Sequence, residues 1–166
     1  MGRNMKVCFV GHRKIELTEQ LRKALHDTTL MLISKGATTF LFGSRSEFDN
    51  LAWEVVSNLQ KQYPYIQRVY VRSIYQHIDK SYEEYLLKFY EITYFPPKLS
   101  NAGKNCYVER NYEMIDQCDC CVFYYNDKYV PEQQNCTPLP TIRQSGTKIA
   151  YQYAIKKKKM VINLFQ

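Results

Sequence analysis

Apolar residues recur along this chain with two different periods. Short runs rich in β-branched and aromatic residues, at 6–10 (KVCFV), 38–42, 66–71, 120–125 and 160–164, suit strands. Between them the spacing turns helical. Leu21, Leu25, Leu32 and Ile33 predict an amphipathic helix over 17–34, with Thr18 as its N-cap and Gly36 as its C-cap. Leu51, Ala52, Val55, Val56 and Leu59 predict a second helix that starts at Glu47 and is over by Pro64. Tyr82, Tyr85, Leu86, Phe89 and Tyr90 place a third within 79–93, and Val108, Met114 and Ile115 a fourth over 105–117. A fifth opens at Ser145 and runs through Ala154. The segment 126–144 is polar, holds three prolines, and has the length of a functional lid.

Five β-rich runs alternating with helices specify an α/β sandwich around a mostly parallel five-stranded sheet with right-handed crossovers, and 1–166 reads as one domain. Such sheets bind ligands outside the carboxyl ends of their strands. The chemically unusual residues gather at that edge: Gly11, His12 and Arg13 after the first strand, 43–49 after the second, 72–76 after the third, Asn126 after the fourth, and Ser145, Gly146 and Thr147 at the last helix start. The stretch 38–54 (TTFLFGSRSEFDNLAWE) has the order strand, small-residue turn, helix, which is half of a nucleotide-binding βαβ unit. Its helix N-terminus would offer free N–H groups to an anion. The same residues also read as an ordinary helix start, capped by Ser46 with Asp49.

Composition narrows the partners. A net charge of +7 favours acidic ones, yet the densest cations, Lys156 to Lys159, end a predicted helix and complement its dipole. They read as a solvated helix end, which ranks nucleic acid behind a small anionic ligand. No apolar run is long enough to span a bilayer and the N-terminus lacks a signal core, so the expected setting is the cytoplasm, without a membrane. Of the six cysteines, Cys8, Cys118, Cys120 and Cys121 fall in or beside strands, where thiols act as small hydrophobes. Cys118 and Cys121 form a C-x-x-C, but no second pair or nearby His completes a ligand set. Neither a metal nor a separate cofactor is expected.

Four segments, CFVGHRKI, GATTFLFGSRSEFDNLAWEVV, ERNYEMIDQCDCCVFYY and SGTKIAYQYAIKKKKMVINL, resemble in order and spacing the YpsA-like family, within the superfamily named for DprA and the lonely-guy enzymes (SLOG). The resemblance covers nearly the whole chain and implies a Rossmann-like fold with a pocket for a nucleotide or nucleotide-derived ligand. By position it implies that Gly11, His12 and Arg13 line the pocket from the first strand, and that Gly43, Ser44 and Asp49 form the second-strand turn. Arg110, Asn111 and Asp116 match the family's arginine–asparagine helix, and Ser145, Gly146 and Thr147 would cradle a phosphate. Two departures stand out. The second turn carries Ser44, Arg45, Ser46 and Glu47 where relatives have more glycine and alanine, which narrows the pocket or adds an anion contact through Arg45. Lonely-guy phosphoribohydrolases carry a glutamate where this chain has Ala150, and a methyl group cannot stabilise an oxocarbenium-like centre.

The expected function is therefore binding or sensing of a nucleotide or nucleotide-derived small molecule at the carboxyl edge of the sheet. The alternative is an enzyme cleaving or transferring an N-glycosidic bond, with Glu54 or Asp49 as its catalytic carboxylate. Glu54 reads more readily as a helix-face carboxylate or a partner for a nearby Lys or Arg. Binding of single-stranded nucleic acid, suggested by the charge and the 15 tyrosines, ranks third. The tyrosine-rich face of 79–93 predicts a homo-oligomer.

Overall fold

A computed structural model describes residues 4–131 and 144–166. Most of the segment read as a lid, 126–144, lies outside them. The elements follow in the order β1 (Met5–Gly11), α1 (Glu19–Ser34), β2 (Ala37–Phe42), α2 (Glu47–Gln60), β3 (Gln67–Val71), α3 (Lys80–Leu86), β4 (Ile92–Tyr94), α4 (Cys106–Gln117), β5 (Cys120–Tyr124), α5 (Gly146–Lys156) and β6 (Met160–Asn163), with two short 3-10 turns before α4. All five strand pairings are parallel, in the order β4-β3-β2-β1-β5-β6.

Strand alternation divides the core between two faces. Val7 and Phe9 of β1, with Phe40 and Phe42 of β2, pack under α1 and α2. Cys8 and Val10, with Leu41, Val69 and Val71, pack under Met114 and Ile115 of α4 and Ala150 and Ala154 of α5. The order reverses between β1 and β5, so the crossovers leave in opposite directions and cover opposite faces. The helix ends follow the predicted chemistry. Thr18 Oγ1 accepts from Leu21 N at 3.0 Å, and Gly36 takes φ 105° just past α1, where a Cβ would be strained.

The sheet has six strands, not five. The missed strand is β4, which overlaps the end of the segment read as one helix over 79–93; that helix ends at Leu86. Three residues are too few to display alternation, and what places them is contact with β3. Glu91 N donates to Arg68 O at 2.9 Å, Thr93 Oγ1 donates to Tyr70 O at 3.0 Å, and Arg72 N donates to Tyr94 O at 2.8 Å. The Glu91 carboxylate also accepts from the backbone N and the guanidinium of Arg68, both at 2.7 Å, which pulls Glu91 below the usual carboxylate range despite the burial that opposes it.

The lysine run closes α5. Lys157 lies over the Tyr153 ring at 5.4 Å, and Lys159 Nζ donates to the carbonyls of Asp116 and Cys118 at 3.1 and 3.0 Å. Cys8, Cys118, Cys120 and Cys121 are free and buried. Burial pushes the Cys120 thiol up to about 12, and contact with Cys8 followed by burial raises Cys121. No helix of the described residues is long and apolar enough to cross a membrane.

Gly11 ends β1 because no side chain fits there: a Cβ would come within 2.4 Å of the fully buried Phe48 ring. Gly11→Ala is therefore expected to cost about 1–3 kcal/mol in urea denaturation. Adding Phe48→Ala, which removes Cγ and Cδ1 but leaves the Cβ at 2.5 Å, should make the double mutant less destabilised than the sum of the two single changes.

Candidate functional site at the carboxyl edge of the sheet

The edge that follows β1, β2, β3 and β5 carries two clusters of polar side chains. The first is built at the end of β2. Gly43 is buried, and a Cβ there would meet Met114 Sδ at 2.5 Å and Arg110 Nε at 2.7 Å. The missing side chain lets α4 press Arg110 onto the β2 turn from the opposite face of the sheet. Arg110 Nη1 donates to the Gly43 carbonyl and, at 3.2 Å, to Ser73 Oγ; Arg110 Nε donates to Asn111 Oδ1 at 3.4 Å. Arg110 is 5% exposed, and its guanidinium also lies over the Tyr107 ring at 5.6 Å.

Asp49 approaches the same turn from α2. One carboxylate oxygen, Oδ2, accepts from Ser44 N at 2.8 Å and from Ser44 Oγ at 2.5 Å; the other, Oδ1, is buried without a hydrogen-bond partner. Burial pushes its carboxyl up to about 6, against the Ser44 hydrogen bonds and the Arg110 charge, which act to lower it. Arg45, next along the turn, is exposed and reaches the Tyr70 hydroxyl. One turn thus holds a buried cation, a buried carboxylate and an exposed guanidinium.

The second cluster sits at the ends of β1 and β5. His12 is 1% exposed, and its Nε2 accepts from Asn126 N at 2.8 Å. That bond leaves the proton on Nδ1, which is buried without a partner. Burial pushes the imidazole down to about 4, so it is neutral at pH 7. The ring stacks on Tyr129 at 3.8 Å and borders a recess of about 340 Å³ lined also by Lys14, Glu16, Tyr124 and Phe165.

Not every expected residue joins these clusters. At the N-terminus of α2 the chain itself uses two donors: Glu47 N donates to Arg13 O at 2.9 Å and Asp49 N to Ser46 Oγ at 3.0 Å. Ser46 caps α2, as the helix-start reading of 38–54 expects. At Gly11 the space that a Cβ would need is filled by Phe48. Arg13 is exposed, and among the described residues no hydrogen bond joins it or Ser145 to Arg110 or Asp49. At the start of α5, Ser145 Oγ accepts from Lys148 N at 3.1 Å, Thr147 is buried, and a Cβ on Gly146 would meet nothing within 4 Å.

Two acidic residues fall away from the edge. Glu54 is exposed and pairs with Arg22 of α1 at 3.1 Å, because the helical period turns it from the sheet. Asp116 lies six residues beyond Arg110, near the far end of α4, where both its oxygens accept from Tyr153. Ala150 packs in the core. Ser73 and Tyr129 are the contacts that residue types did not single out. Ser73 lies within the strand-end span 72–76, whereas Tyr129 follows Asn126 in a turn whose closeness to His12 depends on the fold.

The architecture is a Rossmann-like α/β fold, with polar residues converging on the carboxyl edge. No family model and no curated protein sequence matches the chain. Among solved structures it resembles the molybdenum cofactor carrier protein of Chlamydomonas reinhardtii. One structure aligns at a TM-score of 0.54 and 13% identity over 96% of this chain and 75% of that one. Two others give 0.53 and 0.52, at 15% and 14% identity, each over 99% of this chain and 79% and 78% of theirs. At this level of identity the likeness is one of fold.

The two buried titratable groups act on stability with opposite signs. The folded value of Asp49, about 6, exceeds its ordinary 3.8, so its contribution falls as pH rises from about 4 to 6. His12 has a folded value of about 4 against an ordinary 6.5, so its contribution is full above 6.5 and is lost as pH falls toward 4. The slopes oppose each other in the wild type. Asp49→Asn should leave stability rising with pH between 4 and 6.5, by on the order of 3 kcal/mol, while His12→Gln should leave it falling. Urea titrations at stepped pH read both.

Proposed function

We propose that the chain binds a nucleotide or nucleotide-derived small molecule at the carboxyl edge of its sheet, as a one-domain member of the YpsA-like branch of the SLOG superfamily. The observation that carries this reading is the turn after β2. Arg110 is held there at the cost of burying its charge, Asp49 is buried beside it, and Arg45 stands exposed. Burial of a charged pair beyond what packing needs is a mark of functional sites. Arg45 and the open start of α5 at Gly146 supply contacts for anionic groups, and the hydroxyls of Ser44 and Ser73 contacts for a ribose or base.

Binding without turnover suits the carboxylates. Glu54 faces solvent beside Arg22, and Asp49 is enclosed and held by Ser44, so neither stands ready at an N-glycosidic bond. That a protein of the same fold carries a cofactor supports the same reading by analogy only.

The test is mass spectrometry of protein denatured straight from a gentle purification, with a thermal-shift panel of nucleoside phosphates, dinucleotides and ADP-ribose derivatives. A ligand at a hundred times its Kd should raise Tm by about 5 °C or more. Arg45→Ala, an exposed change, should weaken binding at least tenfold without lowering the melting point of the free protein. If no member of the panel shifts Tm, the reading fails; release of free base from a bound nucleoside phosphate would make the protein an enzyme.

A further inference from the structure

A large exposed apolar surface lies where α3 meets the outer strand β4. Tyr75, Tyr82, Tyr85, Phe89 and Trp53 form a continuous chain of ring contacts with centroids 5.4–6.3 Å apart. Within and beside this chain Ile74 is 56% exposed, Tyr75 56%, Tyr85 48%, Leu87 45%, Phe89 38% and Ile92 42%. Six large apolar side chains within nineteen residues are not the scattered exposure of an ordinary surface. They present on the order of 500 Å² of apolar area. A standard interface buries about 800 Å² per partner, so the patch supplies most of one.

We infer that this face is the contact between two copies of the chain, related by a two-fold axis. The charges around the rings favour that occupant. Asp79, Glu83 and Glu84 stand with Lys80 and Lys88 in and beside α3, so the face carries both signs of charge. A two-fold contact sets a surface against its own reverse, so the lysines of one copy meet the glutamates of the other. Lys80 and Glu84 lie 3.9 Å apart on the exposed side of α3, both with largely solvated side chains, and can exchange partners across the axis. Strand β4 adds to the face. It ends the strand order, and its outer backbone edge is unpaired among the described residues, the kind of edge that a second chain covers.

The contact also borders the β2 turn, since the Arg45 guanidinium lies near the Tyr70, Tyr82 and Tyr85 hydroxyls. The assignment of the face does not depend on what that turn binds.

Sedimentation velocity across about 1–100 µM tests the inference. The wild type should sediment at twice the 19.8 kDa chain mass at the upper end of that range. Tyr85→Glu and Ile92→Lys, both at exposed positions, should each raise the dimer dissociation constant at least tenfold while leaving Tm at low protein concentration unchanged. Ile155→Lys, on α5 at the other face of the sheet and 52% exposed, should leave the dimer intact. A wild type that is monomeric throughout overturns the inference, as does a dimer that survives both substitutions. Binding of oligo-dT or of phosphatidylserine vesicles that Tyr85→Glu abolishes would assign the face to another partner and overturn it equally.

Discussion

The guanidinium of Arg110 lies against the carbonyl of Gly43, and the layout of the carboxyl edge depends on that contact. Arg110 belongs to α4, on one face of the sheet, while the turn it grips leads into α2, on the other. A buried guanidinium must find acceptors for its N–H groups, and here they are a main-chain carbonyl, the Ser73 hydroxyl and the Asn111 amide oxygen. Because none of these is charged, Asp49 supplies the compensating charge from the other side of the turn. The approach is open only because residue 43 has no side chain. Glycine, arginine and aspartate thus form one unit whose members lie far apart in the chain.

The same constraint accounts for the state of Asp49. Enclosure beneath the turn raises its carboxyl, and the Ser44 hydrogen bonds hold the charged form in place but satisfy only one of its oxygens. At the neighbouring strand ends His12 is the mirror case, buried and neutral, with one ring nitrogen satisfied by Asn126 and the other not. Each half-satisfied group costs folding free energy that a plain apolar core would not. Two such groups at the edge where parallel sheets bind ligands form a coherent pattern. The strand ends are stiffened by the sheet, which holds these polar groups in place.

Periodicity, caps and strand composition were enough to specify the α/β architecture, five of the six strands and the buried stripe of α2, because each depends on residues close in the chain. Thr18 and Ser46 act as N-caps for the same reason, and Gly36 takes the left-handed position one residue beyond Lys35, the C-cap of α1: their hydrogen bonds reach only a few residues. The gathering of unusual residues at one edge also followed from order alone, since a parallel sheet puts every strand's carboxyl end on one side. Strand β4 escaped notice because three residues have no period, and its place comes from Arg68 and Tyr70 on the strand beside it.

What only the tertiary structure decided is which edge residues meet. Arg110 reaches the β2 turn and Asn111 accepts from it, whereas Asp116 and Glu54, equally suggestive in the sequence, turn toward Tyr153 and Arg22. Gly11 and Gly43 occupy equivalent positions at strand ends, yet one makes room for a phenylalanine ring and the other for an arginine. Two donors at the start of α2, open in principle, are taken by the Arg13 carbonyl and the Ser46 hydroxyl. Residue type and helical phase fix the local structure and the side of the sheet. The partner of a buried charge depends on contacts across some sixty residues of chain, and no local pattern encodes them.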